Sequence, residues 1–287
     1  MIYQFIADHR AAYAVTRLCR TLGVSPSGYY AWRRRRPSAR TLANQRLVAH
    51  MRVIHGEVHE TYGSPRMHAE LVARGLRCNV KRVARLMRLY HLCARHKRKY
   101  RVTTKVNRQL AVAPNHLAQQ FQASAPNQKW ASDITYIGTR EGGLYLAVVM
   151  DLYSRRIIGW ALAPTQETTM VVAALHMAIG RRQPPRGTLH HSDRGSQYAS
   201  DRYQAVLHAH QFTVSMSGTG NCFDNAALES FFGTLKAERV NRQRYLTRDQ
   251  ARQDIVAYIE GFYNATRRHS SLGYRSPLEF EQASPMA

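Results

Sequence analysis

Apolar residues recur along this chain with two different periods, and the change falls near residue 126. Before it the spacing is helical. A short helix through Leu18 and Leu22 meets Gly23, a residue free to take the positive φ of a turn. Ser25 then offers an N-cap and Pro26 a tolerated first helical position, ahead of Tyr29, Tyr30 and Trp32. Helix, glycine turn and capped helix predict a helix-turn-helix-like unit over residues 1–42. A second basic helical unit, 43–102, repeats the scheme. Pro65 opens a helix through Met67 and Leu71, Gly75 breaks it, and Asn79 caps a helix over 80–90. There Val80, Val83, Met87 and Tyr90 fall at helical spacing, leaving the other faces to Lys81, Arg82, Arg85 and Arg88.

Residues 103–125 are polar, aperiodic and free of acids, and are read as a linker. From 126 to 287 the period shortens. Strands are expected over 129–139, 144–153 and 155–163, then a helix over 167–180 and a strand over 188–192. A helix over 196–210, a strand over 213–217 and a helix over 224–240 follow, and Thr247 heads a capping-box helix through Ile255, Ile259 and Phe262. Short-linked strands followed by alternating helices and strands predict an α/β fold, a mixed sheet with helices packed on it.

Charge sharpens the division. The formal net charge is +24, yet 24 of the 42 basic residues and only 4 of the 18 acidic ones lie within residues 1–128. Such a half repels itself unless a polyanion neutralises it, which points to nucleic acid. Arg33, Arg34 and Arg35 at the end of the first unit, and Arg82 and Arg85 in the second, are its candidate contacts. The run 95–101, with Lys97, Arg98 and Lys99, reads as a phosphate-contacting arm. His55 and His59 have H-x3-H spacing, but Cys78 and Cys93 form no C-x2-C pair, so structural zinc is rejected. Four scattered cysteines suit free thiols in a reducing compartment. The longest strongly apolar run, 144–150, falls far short of the ~20 residues that span a bilayer. A soluble cytoplasmic protein without a membrane partner is expected.

Three acids sit at punctuation points of the second half. Asp133 lies inside the first strand, where a carboxylate is costly unless paired or metal-bound. Asp193 ends the fourth strand, where α/β sheets present their ligand sites. Glu229 lies on the helix after the fifth. At about 100° per residue, Glu229 and Lys236 fall within about 40° of Asn225, while Ala227, Leu228, Phe231 and Leu235 make an opposite, core face. Asp151, ending the second strand, either supports the site or merely terminates the strand.

Asp133, Asp193 and Glu229, with 35 residues between the last two and Lys236 seven beyond, resemble the D,D(35)E signature of retroviral integrases and insertion-sequence transposases. Their surroundings are closer still: residues 130–136, 191–198, 224–238 and the tail 263–277, with 25–32 and 62–66 in the basic half, resemble the second-frame transposase of the IS-three family. The resemblance covers almost the whole chain. It implies a ribonuclease-H-like, retroviral integrase-type catalytic core behind an all-α DNA-binding region. It further implies metal-dependent nicking and strand transfer at element ends, with two Mg²⁺ ions (Mn²⁺ as substitute) relieving the repulsion of the acids. Asp133 would bridge the metals, with Asp193 and Glu229 each completing one shell. Lys236 would contact terminal DNA phosphate, Asn225 would line the site, and Arg267 and Arg268 would lie on DNA. The implied partners are the element's terminal repeats, target DNA, an upstream-frame product (often as a frameshift fusion) and further copies of the chain on DNA, in a bacterial cytoplasm and on its nucleoid. A DNA-binding regulator with a dead catalytic half and a ribonuclease-H-like junction resolvase are the competing functions. Intact acids weigh against the first, and the long basic half against the second.

Overall fold

The local signals for helix starts are realised in hydrogen bonds. In this computed structural model, which describes residues 2–94, 113–218 and 222–283, the Ser25 hydroxyl accepts from Gly28 N at 3.0 Å and Asn79 Oδ1 from Lys81 N at 2.8 Å. Lys97, Arg98 and Lys99, and linker residues 103–112, lie outside the described residues. The chain forms two compact units, 1–53 and 54–287.

The first unit holds α1 (Ile2–His9), α2 (Val15–Thr21) and α3 (Pro26–Arg34), and α4 (Ala39–Glu57) runs on from it through the boundary. One fully buried residue from each of the first three helices, Ile6, Cys19 and Tyr29, makes its small core. Cys19 serves there as a small hydrophobe. Gly23 turns the chain between α2 and α3 at φ +68°.

The second unit continues with α5 (Ser64–Ala73) and α6 (Val80–Leu89), whose buried residues are Met67, Leu71, Val83, Leu86 and Met87. A five-stranded sheet follows: β1 (Lys129–Thr139), β2 (Gly142–Asp151), β3 (Ile157–Ala163), β4 (Leu189–Ser192) and β5 (Thr213–Met216), in the order β3-β2-β1-β4-β5. Pairs β1–β2 and β2–β3 are antiparallel, while β1–β4 and β4–β5 are parallel. Helices α7 (Thr168–Arg182) and α8 (Asp201–Ala209) cover one face, closing a core around Trp130, Val149, Ile158, Leu175, Tyr203 and Phe212. Helix α9 (Ala226–Glu238) packs on β1. Next come α10 (Arg248–Val256), a π-helical stretch Ala257–Tyr263, and α11 (Pro277–Gln282).

Two departures from the sequence pattern have local causes. Helix α8 starts later than expected because Ser200, not Ser196, is its cap, accepting from Tyr203 N. The described end of the expected linker is bound to the sheet: Leu117 is fully buried, and its N–H donates to Ser215 Oγ at 3.1 Å.

Candidate active site

The parallel register of β1 and β4 pairs Ser132 with Ser192. The next residue on each chain is Asp133 and Asp193, and the charge of Asp193 acts on Asp133. Asp133 is crowded by protein yet keeps an opening to the surface, and accepts from Ile134 N at 2.7 Å. Asp193 accepts from Gly195 N at 2.9 Å; a Cβ at Gly195 would stand 2.9 Å from that same carboxylate oxygen, so the turn is closed by a residue without one.

Beneath the pair lies a buried polar layer that the sequence pattern did not single out. The Ser132 hydroxyl lies 2.9 Å from His190 Nε2, which the Tyr203 hydroxyl also reaches at 3.0 Å. His191 bridges Ser215 Oγ at 2.9 Å and Ser217 Oγ at 3.2 Å. Burial holds both imidazoles neutral, lowering His190 to about 3 and His191 to about 4. These bonds tie the strand carrying Asp133 to β4 and β5. The only advance signal was two histidines in a short strand, one for each face. Tyr198 is likewise fully buried beside both carboxylates, and its hydroxyl has no hydrogen-bond partner.

Helix α9 supplies the remaining groups. Leu228, Phe231 and Leu235 are buried as its apolar face requires, which leaves Glu229 exposed and Lys236 half-buried on the polar stripe. Asp133 is pushed well above the usual carboxylate range, by burial first and then by Asp193 and Glu229, with Lys236 opposing. Asp193 is raised by its burial. Burial lowers Lys236 while Asp133 holds it up. The structure thus brings Asp193, Glu229 and Lys236 within electrostatic reach of Asp133. Among the described residues no group of three or more His, Cys, Asp or Glu side chains is drawn together closely enough to hold a metal ion. A set of mutually repelling carboxylates, open on one side, nonetheless fits a hard divalent cation that keeps waters and substrate phosphate among its ligands.

The other predicted residues differ in their surroundings. Asn225 is buried in the turn before α9, and neither of its amide atoms has a partner. Asp151 is fully buried, accepting from Asn127 N at 2.8 Å and Tyr153 N at 3.0 Å, and burial raises it to about 6. It lies three residues along β2 from Val148, the partner of Asp133, about 10 Å away, and anchors the strand end. Asp224, which the sequence reading passed over, is a buried hub: Asn115 Nδ2, Gln119 Nε2 and Gly218 N all donate to it. Through it the segment after the basic half holds the start of the Glu229 helix.

Arg267 and Arg268 correct the expectation of DNA contact. Arg267 is buried and gives both oxygens of Glu238 a hydrogen bond, at 2.8 and 2.6 Å. Arg268 is bound to Glu70 at 2.5 Å and to Tyr274 O at 2.7 Å. Both side chains are held within the fold by these bonds. In the first unit Arg33, Arg34 and Arg35 are exposed, and Arg33 and Arg35 line an open recess with Arg10, Trp32 and Arg36. Arg85 is exposed on α6 and Arg82 is half-buried.

Three comparisons bear on this arrangement. The integrase core domain family matches residues 123–222, a second integrase core domain family matches 210–277, and an HTH-like domain family matches 43–100. The transposase InsF for insertion sequence IS3A of Escherichia coli (strain K12) is 44% identical over 283 residues, covering 98% of each chain. A 31 kDa protein of insertion element IS600 from Shigella sonnei is 44% identical over 265 residues, covering 92% of this chain and 97% of its own. Among solved structures, a chain of the simian T-cell lymphotropic virus intasome bound to the PP2A regulatory subunit B56 gamma superposes with a TM-score of 0.50 at 17% identity, covering 82% of this chain and 75% of that one. That likeness gives the fold: the mixed sheet and its helices are an integrase-type, ribonuclease-H-like core.

Proposed function

The chain belongs to the IS3 family of insertion-sequence transposases, and from that premise we propose that Asp133, Asp193 and Glu229 are the catalytic carboxylates with which it cuts and rejoins DNA. The activity is that of a DNA transposase, strand cleavage and transfer at the ends of a bacterial insertion element. One observation carries the residue assignment. Parallel pairing of β1 and β4 leads each chain to an aspartate at the next position, and α9 brings Glu229 within repelling distance of Asp133.

Divalent ions, Mg²⁺ or Mn²⁺, bound by these three acids would clamp the attacking and leaving oxygens of an in-line displacement. Asp133, between the other two, is the ligand suited to be shared. Asp193 is held in its turn by Gly195 N, and Glu229 reaches in from the helix. The His190 and His191 layer keeps β1, β4 and β5 in register, so both aspartates present the same geometry to each phosphodiester. Lys236 offers a cation to the phosphate beside the reacting one. Asn225, with an unsatisfied amide before the same helix, lines the site. No nucleophile of the chain is needed: water attacks first and releases a 3′-hydroxyl, which then attacks a second phosphodiester and displaces the 3′-oxygen of the strand it joins.

Arg33, Arg34, Arg35 and Arg85 are the exposed cations offered to the double helix, with Arg82 beside them. The upstream-frame product of the same element, fused or free, and further copies of this chain complete the assembly on paired ends. In a cleavage assay on a duplex carrying the element end, Asp133→Asn, Asp193→Asn and Glu229→Gln should each lower the rate by at least about a thousandfold, several kcal/mol of transition-state stabilisation. Binding of the same duplex should persist. Unimpaired cleavage by any of the three would remove that residue from the site.

A further inference from the structure

Two sequence segments, 62–66 and 263–277, have no part in the carboxylate site, yet the fold brings them together across some two hundred residues. The Tyr62 hydroxyl accepts from Arg268 N at 2.8 Å, and the Arg66 guanidinium lies 6.0 Å from the centre of the Tyr62 ring. On the other side Tyr263 is buried edge-on to His269, ring centres 4.9 Å apart, with Arg267 6.0 Å over its face. Arg155, from the β2–β3 turn, approaches the same tyrosine. Arg66, Arg155 and Arg267 are all within electrostatic reach of His269.

The charges in this cluster do not balance. Of the carboxylates nearby, Glu238 is saturated by two bonds from Arg267 and one from Tyr258, and Glu70, beside Tyr62, is taken up by Arg268 and Arg74. Among the described residues Arg66 and Arg155 form no ion pair, although both are largely surrounded by protein. The neighbouring arginine behaves otherwise: Arg156 pairs with Glu281 at 2.7 Å. His269 Nε2 is buried and has no partner. Arg155 also holds left-handed backbone at φ +62°, a conformation that favours glycine. A strained backbone that delivers an unpaired cation to a recess already cationic is an arrangement waiting for an anion. Arg66 and Arg155 both keep part of their surface open to solvent.

We propose that Arg66, Arg155 and His269 form a phosphate-binding recess, away from the carboxylate site, that seats one backbone phosphate of bound DNA. Two guanidinium groups supply charge and paired donors, and His269 donates from Nε2 in its neutral form. Arg267 belongs to the wall, fixed by Glu238. The DNA assignment rests on the transposase reading; the anion site itself does not.

The test uses the full chain, with Arg66→Gln, Arg155→Gln and the double variant, and with exposed Arg202→Gln as a control for charge lost elsewhere. Duplex affinity is measured from 50 to 200 mM salt. The double variant should bind at least about tenfold more weakly, and its slope of log affinity against log salt should shrink by about 0.9, the signature of one lost phosphate. Without DNA it should melt no lower than wild type, since it removes unpaired cations. Inorganic phosphate, at matched ionic strength, should raise the melting temperature of wild type and not of the double variant. Unchanged slopes, or an equal change in Arg202→Gln, overturn the proposal. Phosphate stabilisation with an unchanged DNA slope assigns the recess to a free anion and overturns the DNA part. Failure of the transposase reading shows elsewhere, as an absence of strand transfer by the wild type.

Discussion

Arg267 gives Glu238 two hydrogen bonds, and Tyr258 adds a third at 2.7 Å, all of them buried. Removing the cation leaves a buried carboxylate without its counter-charge, which costs about 3–5 kcal/mol. Arg267→Gln should therefore lower the unfolding free energy measured by urea titration by that amount, while the fraction still folded binds DNA as wild type does. Weaker DNA binding with full stability would contradict this placement. His191 makes a second prediction, with a definite sign. Its folded pKa of about 4 lies below the ordinary 6.5, so its contribution is present above pH 6.5 and is lost as pH falls towards 4. Between pH 7.5 and 5, wild type should lose about 2 kcal/mol more than His191→Asn does. Equal losses would mean that the imidazole is not held neutral in the folded protein. At this scale the three acids were legible in the sequence, because a carboxylate in a strand built for a core demands an explanation within the strand itself. Arg267 and Arg268 were not, since Glu238 and Glu70 lie 29 and 198 residues away and nothing local announces them.

Elements were read best where their signals are short-range. Ser25, Asn79 and Thr247 all cap as their positions imply, though Gln250 returns its bond to Leu246 N rather than to Thr247. On α9 the helical bookkeeping placed Leu228, Phe231 and Leu235 inward, as found. It failed for Asn225, which lies in a 3₁₀ turn ahead of the helix, where rotation per residue is nearer about 120°. The π-helical stretch Ala257–Tyr263 was equally invisible, being fixed by tertiary demands. It delivers Asn264 to Ile157, where the amide bonds both N–H and C=O at 2.9 Å and holds the start of β3. Close packing of β3 on α7 rests on Gly159. A Cβ there would meet Ala174 O at 2.2 Å and Ala178 Cβ at 2.9 Å. Gly159→Ala should destabilise the core by about 1–3 kcal/mol in chemical denaturation. A neutral result would show that the helix can withdraw freely from the sheet.

For the whole molecule, the uneven charge separates the two tasks. The basic residues concentrated in 1–128 give that part the charge to attract a polyanion, and the nearly balanced remainder carries the carboxylates. Residues 113–119 join the two by bonding Asp224 beside the helix that carries Glu229. A long polar stretch without acids looked like a spacer, because its partners, Asp224 and Ser215, come about a hundred residues later. Among the described residues no helix is long and apolar enough to cross a membrane. The central claim is that this chain moves DNA with Asp133, Asp193 and Glu229. Its most direct test is excision in cells of a marked mini-element with native ends, supplied with this chain, with and without the upstream frame, beside Glu229→Gln. Joined-end junctions, scored by sequencing, should appear with wild type and vanish with Glu229→Gln. Junctions that persist in Glu229→Gln, or that never form while the folded protein still binds the ends, would contradict it.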